Sequence, residues 1–328
     1  MTLRGLFNPL SKHPAYAESI KTLKISLLET TMIWHGLLVD SPEADGTRLE
    51  VSAYLRMLKK QIDDFSARNF VYMLALRPRL RISEQPRYRK FLGGLLIRIA
   101  IGNEGRQERI VIPTAYFTAL QLGVRPTVSF TPRMITFKGN GNSFSAPVHN
   151  LLLDLGVNLG VASEVTYVGR TEDPGTRVID GNHRGLTDTL AIALERQDDV
   201  FLYTSTFHAR SHSASKDGGM VFVFSNSLTD NIPIKPETDL IEKLLITYFD
   251  PVTMKKERDS DRTKLRKILT RLREKENVAA VEMRLEVDDT SDYYRFGNAN
   301  VAYGHRHAFV CTVEGNEVTC ASLNETTP

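Results

Sequence analysis

Val178-Ile179-Asp180-Gly181-Asn182-His183-Arg184 is the stretch of this 328-residue chain that indicates its fold most directly, and a helical run over 185–197 follows it at once. The two β-branched residues favour a short strand, and Gly181 allows the backbone to approach a ligand closely. Backbone N–H groups at the start of a helix carry partial positive charge and stabilise anions. The stretch therefore predicts a strand, a turn that faces a phosphate group, and a helix.

The side chains of this turn suit a phosphate site. Asn182 tolerates a left-handed backbone and donates from its amide, while His183 and Arg184 can hydrogen-bond phosphate oxygens. Asp180 can orient a cation or cap the turn. We predict Gly181, Asn182, His183 and Arg184 as phosphate or nucleotide ligands, and Asp180 with His183 as the catalytic candidates. The alternative is an Asp-Gly turn that enters a helix with His183 and Arg184 solvated.

These residues resemble the IDGQHR signature of the DGQHR-domain proteins, which belong to the ParB/sulfiredoxin-like superfamily. Asn182 stands where that family has Gln, so its amide arm is one methylene shorter. The resemblance extends over about residues 170–250, where 220–226 is similar to the family's F-x-x-I-N segment without its Ile. It implies an α/β core that binds a nucleotide or a nucleic-acid phosphate, with Asn226 as a further site residue.

The pattern of elements predicts the same fold class. Strands are expected over 20–39, 165–168, 200–204, 220–224, 279–287 and 307–313, a hairpin over 95–112, and helices over 49–65, 114–122, 185–197, 236–249 and 259–275. Strand–helix–strand order is typical of layered α/β domains. We predict a mixed sheet with flanking helices at 95–250, an N-terminal segment at 1–94, and a basic helix with C-terminal strands at 251–328.

Two basic segments favour nucleic acid, DNA above all, as the partner. One is rich in arginine around 77–90; the other is a helix near 255–275 whose apolar stripe (Leu265, Ile268, Leu269 and Leu272) would leave a cationic face toward a phosphate backbone. The alternative is a solvated face, partly neutralised by neighbouring acids. The predicted nucleic-acid contacts are Arg77, Arg79, Arg81, Arg87, Arg89, Arg262, Lys264, Arg266, Lys267, Arg271 and Arg273.

Two histidine pairs have ambiguous surroundings. His208 and His212 stand four residues apart among serines and threonines. These surroundings favour a loop, either a mobile one that covers the Asp180 turn or an ordinary surface loop, and a metal site is less favoured. His305 and His307 would share one face of a strand. That face could bind phosphate or a metal ion, or the segment could be a plain edge strand without a ligand. We predict no metal centre.

The composition and the cysteines indicate the cellular compartment to expect. Hydrophobic residues make up 41% and charged residues 25% of the chain, and the net charge is +3, which is typical of a globular protein. Cys311 and Cys320 form no CxxC motif and are predicted to be free thiols in a reducing cytoplasm. The longest apolar run, 91–101, is too short to cross a bilayer, so no membrane partner is expected.

The predicted function is that of a DNA-associated factor in regulation, DNA maintenance or DNA modification. The chain lacks a GxSxG motif and a GxxxxGK[ST] phosphate loop. One alternative is a nucleotide-hydrolysing or DNA-nicking enzyme, for which a nucleoside triphosphate is the candidate cofactor. Another is a non-enzymatic RNA-binding or assembly protein, and a homo-oligomer stays open.

Overall fold

The computed structural model describes residues 4–36, 60, 70–89, 93–170, 184–214, 221–315 and 317–323. Some of the predicted elements lie outside these residues. The strand at 178–179 and the turn residues Asp180, Gly181, Asn182 and His183 lie outside the described residues, as does the helix at 49–65 apart from residue 60.

The described strands are β1 (Lys21–Trp34), β2 (Phe70–Pro78), β3 (Leu80–Ile82), β4 (Arg87–Arg89), β5 (Gly94–Ile101), β6 (Arg106–Pro113), β7 (Thr127–Phe130), β8 (Met134–Gly139), β9 (Asn142–Pro147), β10 (Ser163–Arg170), β11 (Asp198–Ala214), β12 (Val221–Ser225), β13 (Val278–Glu286), β14 (Phe296–Gly297), β15 (Arg306–Glu314) and β16 (Glu317–Ser322). The described α-helices are α1 (Asn8–Ser11), α2 (Pro14–Ala17), α3 (Thr114–Ala119), α4 (Val148–Asp154), α5 (Arg184–Arg196), α6 (Asn226–Thr229), α7 (Ile234–Phe249) and α8 (Arg258–Glu276). Two 3-10 turns cover Val252–Met254 and Asp292–Tyr294.

A large mixed sheet organises the fold, which confirms the predicted layered α/β class. Its strand order is β14-β10-β2-β11-β1-β13-β15-β16, and β12 pairs with β11. Both β10 and β11 are antiparallel to β2, so they run parallel to each other with α5 between them in sequence. The expected strand–helix–strand unit began with the strand at 178–179, which lies outside the described residues; its helix and its second strand are present as α5 and β11, and β2 lies between β10 and β11 in the sheet.

Alternation along β2 explains why helices cover both faces of the sheet. Val71, Met73 and Ala75 join the main core with α7 and α8, whereas the intervening residues of β2 pack with α5 in a second cluster. Successive side chains of a strand point to opposite faces. One face of the sheet therefore packs on α7 and α8, and the other on α5.

A smaller unit interrupts the sheet between β2 and β10. It contains β3 to β9 with α3 and α4, arranged as two small antiparallel sheets, and it has its own core of residues between 80 and 161. The predicted hairpin is confirmed as β5 and β6. The predicted helix at 114–122 is present but ends earlier, at Ala119.

The predicted division at 94 and 250 needs correction, because both boundaries cut through the large sheet. Its central strand β1 and its strand β2 precede residue 95, and β13, β14, β15 and β16 follow residue 250. Strand pairing joins segments that are distant in sequence, so residues 95–250 do not carry the sheet alone.

The two cysteines also depart from the prediction. Cys311 of β15 and Cys320 of β16 are directly opposed, with 4.2 Å between their Cα atoms, and they form a disulfide. The prediction of free thiols was wrong because cross-strand register brings the pair together. Within the described ranges, no helix has the length and apolar character needed to cross a membrane.

Candidate nucleic-acid interface

The basic helix α8 lies where its sequence predicted. Leu265, Leu269 and Leu272 are buried against the core, and the helix packs beside α7 and onto β13, β15 and β16. Burial of this stripe fixes the rotation of the helix and leaves most of its cationic side chains in solvent.

The cations of α8 fall into two ridges. At about 100° per residue, Arg262, Arg266 and Arg273 lie within about 40° of one another on one side of the buried stripe. A second set lies on the other side, within about 80°: Lys264, Lys267, Arg271 and Lys275. We call these the first and second ridges. Two such rows offer charge to a polyanion along about four turns of helix.

The first ridge borders the edge of the sheet. A groove of about 370 Å³ runs between Arg262, Arg266 and the strand residues Glu317 and Val318. Arg273 donates a hydrogen bond of 2.7 Å to the Val313 carbonyl, so part of its guanidinium is committed to β15. The second ridge has only one ion pair with an acid among its described contacts, between Lys264 and Asp261 at 3.7 Å.

The start of α5 lies next to the start of α8. The Arg184 side chain is 67% exposed, and its guanidinium is 3.3 Å from Glu257, the residue before α8, and 3.7 Å from Asp188. Exposed ion pairs of this kind stabilise the fold by less than about 1 kcal/mol. Arg184 can therefore exchange these carboxylates for a phosphate at little cost.

Gly185 has a packing role at this junction. A Cβ atom at this position would come within 2.3 Å of the Tyr167 ring, so only glycine lets the first turn of α5 pack directly on β10. Arg184, the one residue of the signature within the described ranges, thus lies on the surface, and Gly185, which follows it, contacts the sheet.

Arg77 cannot contact nucleic acid, which corrects one predicted site residue. It is 1% exposed; its guanidinium donates to Ser163 Oγ at 3.0 Å and to the Asp292 carbonyl at 2.6 Å, and lies 4.1 Å from the centre of the Tyr293 ring. Burial lowers the pKa of Arg77. The side chain joins β2 to the Asp292–Tyr294 turn.

Asn226 is the second correction. It is 2% exposed and its amide donates to the Ile232 carbonyl at 2.7 Å and to Glu237 at 2.8 Å, while its oxygen accepts from the Ile232 N–H at 3.0 Å. Arg4 also pairs with Glu237, at 2.6 Å. These bonds use both ends of the amide inside the protein, so Asn226 is not a phosphate ligand.

The other predicted arginines belong to different surroundings. Arg81 makes a two-pronged ion pair with Asp199, at 2.8 and 2.9 Å, and Arg79 lines a cleft beside it. Arg87 and Arg89 are exposed on β4. The arginine segment is thus divided between a buried strand, a cleft and the smaller unit, and does not form one surface.

The loop predicted around His208 and His212 was wrong, because both residues belong to β11, which pairs with β1, β2 and β12. His208 contacts Ser225 Oγ at 2.8 Å and accepts a hydrogen bond from Arg210 at 3.0 Å. His307 contacts the Tyr248 hydroxyl at 3.1 Å. In the part of the chain that the structure covers, no group of three or more His, Cys, Asp or Glu is arranged to hold a metal ion.

A buried polar cluster escaped the sequence analysis. His149 of α4 is fully buried; its Nε2 lies 3.0 Å from Asp199 and its Nδ1 lies 3.0 Å from the Tyr293 hydroxyl. Burial lowers the pKa of His149 and raises that of Tyr293, so both are neutral. Tyr293 O–H then donates to Nδ1 and Nε2–H donates to Asp199.

Asp199 is the ionised member of this cluster. Burial opposes its ionisation, but the hydrogen bonds from His149 and Arg81 and the charge of Arg81 outweigh that effect and hold the pKa of Asp199 below its usual range. The Leu80 N–H also donates to it, at 3.1 Å. The only sequence signals were an isolated histidine in an apolar run and a pair of aspartates before a strand, and both are common in surface positions.

Comparison of the chain with protein-family models, with curated proteins and with solved structures gave no match.

Proposed function

We propose that this protein binds nucleic acid, DNA in the first place, through the phosphate backbone. In this proposal the second ridge of α8 contacts one strand of phosphates, and the 180–184 turn at the start of α5 binds a further phosphate. The ion pair between Arg184 and Glu257 carries the proposal, since it places the end of the signature beside the beginning of the basic helix.

The chemistry expected of this surface is electrostatic. Lysine and arginine side chains displace condensed counterions from the backbone, which supplies affinity without reading base sequence. No described element has the features of a base-reading zinc finger. The resemblance to DGQHR-domain proteins supports the same assignment and gives it a biological setting in DNA maintenance or modification.

A salt titration tests the proposal directly. Binding of the full chain to fluorescent random duplex, single-stranded DNA and RNA would be followed by anisotropy over a range of potassium chloride concentrations. Neutralising Lys264, Lys267 and Arg271 together with glutamine should reduce the slope of log K against log salt on duplex by about 2.7, at about 0.9 for each phosphate that the protein no longer neutralises.

A matched variant controls for net charge. Lys12, Arg109 and Lys138 are exposed cations outside α8, and their joint replacement by glutamine changes the charge equally. Its slope should stay close to that of the unaltered protein. Equal losses in both variants, or no binding to any of the three nucleic acids, would refute the proposal.

Reaction products distinguish the enzyme alternative from the binding proposal. Incubation with nucleoside triphosphates and supercoiled plasmid should release no phosphate and produce no nicked circles while gel shift persists. Release of phosphate or nicking that is lost on Asp180→Ala would replace the binding factor by an enzyme.

A further inference from the structure

A cleft of about 250 Å³ lies at one end of the large sheet, away from the residues discussed above for nucleic-acid binding by α8. Its lining comes from the end of β1, the residues after β2, the beginning of β11, the turn before β8 and the C-terminal half of α5. Both β1 and β2 are antiparallel to β11, so their carboxyl ends meet here, where open α/β sheets commonly bind ligands.

More cationic than anionic side chains line the cleft. Arg79, Arg81 and Arg133 line it together with Asp198 and Asp199. Both aspartates have cationic partners of their own: Asp199 pairs with Arg81, and Asp198 lies 2.9 Å from Arg196.

Arg79 is the side chain that most directly indicates a ligand in this cleft. Its Nε is buried and has no hydrogen-bond partner within the described residues, and no carboxylate there pairs with its guanidinium. A buried donor without a partner is unfavourable, because the group has lost its hydrogen bonds to water. An oxyanion in the cleft would accept from this guanidinium in the two-pronged geometry that arginine favours.

Part of the cleft lining is apolar. Leu190, Ala193 and Leu194 project from α5 into the lining, and Leu194 is 77% exposed although it lies in a helix that packs on the sheet. An exposed leucine within reach of a cation is suited to a ligand that is apolar at one end and charged at the other.

We propose that this cleft binds a small amphipathic oxyanion, either an aliphatic carboxylate or a phosphate monoester. The anionic head contacts Arg79, and the hydrocarbon part lies along Leu190, Ala193 and Leu194. This site is independent of the proposed nucleic-acid interface, which involves neither Arg79 nor the C-terminal half of α5.

Trp34 makes the proposal measurable, because it is the only tryptophan of the chain and it lines the cleft. Its emission would be followed while hexyl phosphate, hexanoate, inorganic phosphate or hexanol is added to the full-length protein, with isothermal titration calorimetry alongside. We expect saturable binding of hexyl phosphate or hexanoate with a Kd of about 1 mM or below. Inorganic phosphate and hexanol should bind at least about fivefold more weakly, because each lacks one half of the recognition.

Three variants locate the ligand. Arg79→Gln should weaken binding about tenfold, as expected for loss of a charged hydrogen bond, whereas Arg87→Gln, on the exposed face of β4, should leave it unchanged. Leu194→Asn, which alters an exposed helix position, should remove the preference for hexyl phosphate over inorganic phosphate. The thermal midpoint of each variant would show that it is folded.

The preferred head group then distinguishes a carboxylate ligand from a phosphate ester. Absence of heat and of emission change with every probe, or equal affinity of Arg79→Gln and the unaltered protein, would overturn the proposal. Equal binding of inorganic phosphate and hexyl phosphate would overturn its amphipathic part.

Discussion

Replacing His149 by glutamine should change how the stability of the protein depends on pH. His149 is fully buried, and burial lowers its pKa, so the imidazole stays neutral in the folded protein below the ordinary histidine pKa of about 6.5. The unfolded chain takes up a proton there. The folded state then binds fewer protons than the unfolded state, and its stability falls as the pH falls through this region.

The size of the effect follows from the width of this window. While the folded imidazole stays neutral, each pH unit below about 6.5 costs about 1.4 kcal/mol for one such histidine. Asp199, whose folded pKa is depressed, acts in a separate window, because its contribution is lost only as the pH falls below its unfolded pKa of about 3.9. His35 and His307 also have pKa values lowered by burial, but they are present in both proteins and cancel in the comparison.

Urea unfolding of the unaltered protein and of His149→Gln at about pH 7, 6 and 5 gives the measurement. Glutamine keeps an amide donor for Asp199 but does not titrate, and loss of the Tyr293 hydrogen bond should destabilise the variant by about 1–3 kcal/mol at pH 7. That difference should shrink as the pH falls to 5, by about 1.4 kcal/mol for each pH unit over which the folded imidazole stays neutral, while His13→Gln, at an exposed position, follows the unaltered protein. A difference that stays constant over this pH range would show that His149 is not held neutral.

Three further substitutions or treatments test the architecture. Asn226→Ala removes three buried hydrogen bonds and should lower the free energy of unfolding by about 2–4 kcal/mol in urea, whereas a phosphate ligand on the surface would cost almost nothing. Gly185→Ala should cost about 1–3 kcal/mol by the same measurement because its Cβ meets the Tyr167 ring; an unchanged midpoint would contradict that packing. Reducing the Cys311–Cys320 disulfide, which closes a loop with a sequence separation of 9, should cost about 2.5 kcal/mol in the chain-entropy estimate, and Cys320→Ser should then become insensitive to reductant.

Local patterns were sufficient where one face of an element decides its position. The apolar stripe of α8 and the turn of the β5–β6 hairpin fix these elements within a few residues of their predicted bounds. Arg77 is a residue that such reasoning placed wrongly. It shares the β2 face of Val71, Met73 and Ala75, which alternation alone marks as buried, yet its charge and its arginine neighbours suggested a surface. The side chain is tolerated inside because Ser163 and the Asp292 carbonyl accept its donors.

The part of β11 after Thr204 shows why hydroxyl-rich sequence was misread. Serine and threonine favour turns when a segment stands alone, but here β1 pairs along one side of the strand while β2 and then β12 pair along the other. Pairing on both sides outweighs local propensity. His208, Arg210 and His212 alternate with more deeply buried residues. This two-residue period is that of a strand, and it was the pattern from which the strand could have been predicted.

The fold also bears on whether the acids near α8 neutralise its cations. Asp261 is buried and pairs with Lys243 at 3.1 Å, and Glu257 pairs with Arg184. Glu276 is half-buried, which raises its pKa although neighbouring cations oppose the shift. Of the five acids at 257, 259, 261, 274 and 276, only Asp259 and Glu274 are exposed on the helix, and both lie between the two ridges. Burial of Asp261 and partial burial of Glu276 remove negative charge from the surface while most of the cations stay in solvent. The excess positive charge on the surface is therefore larger than the sequence of the helix indicates.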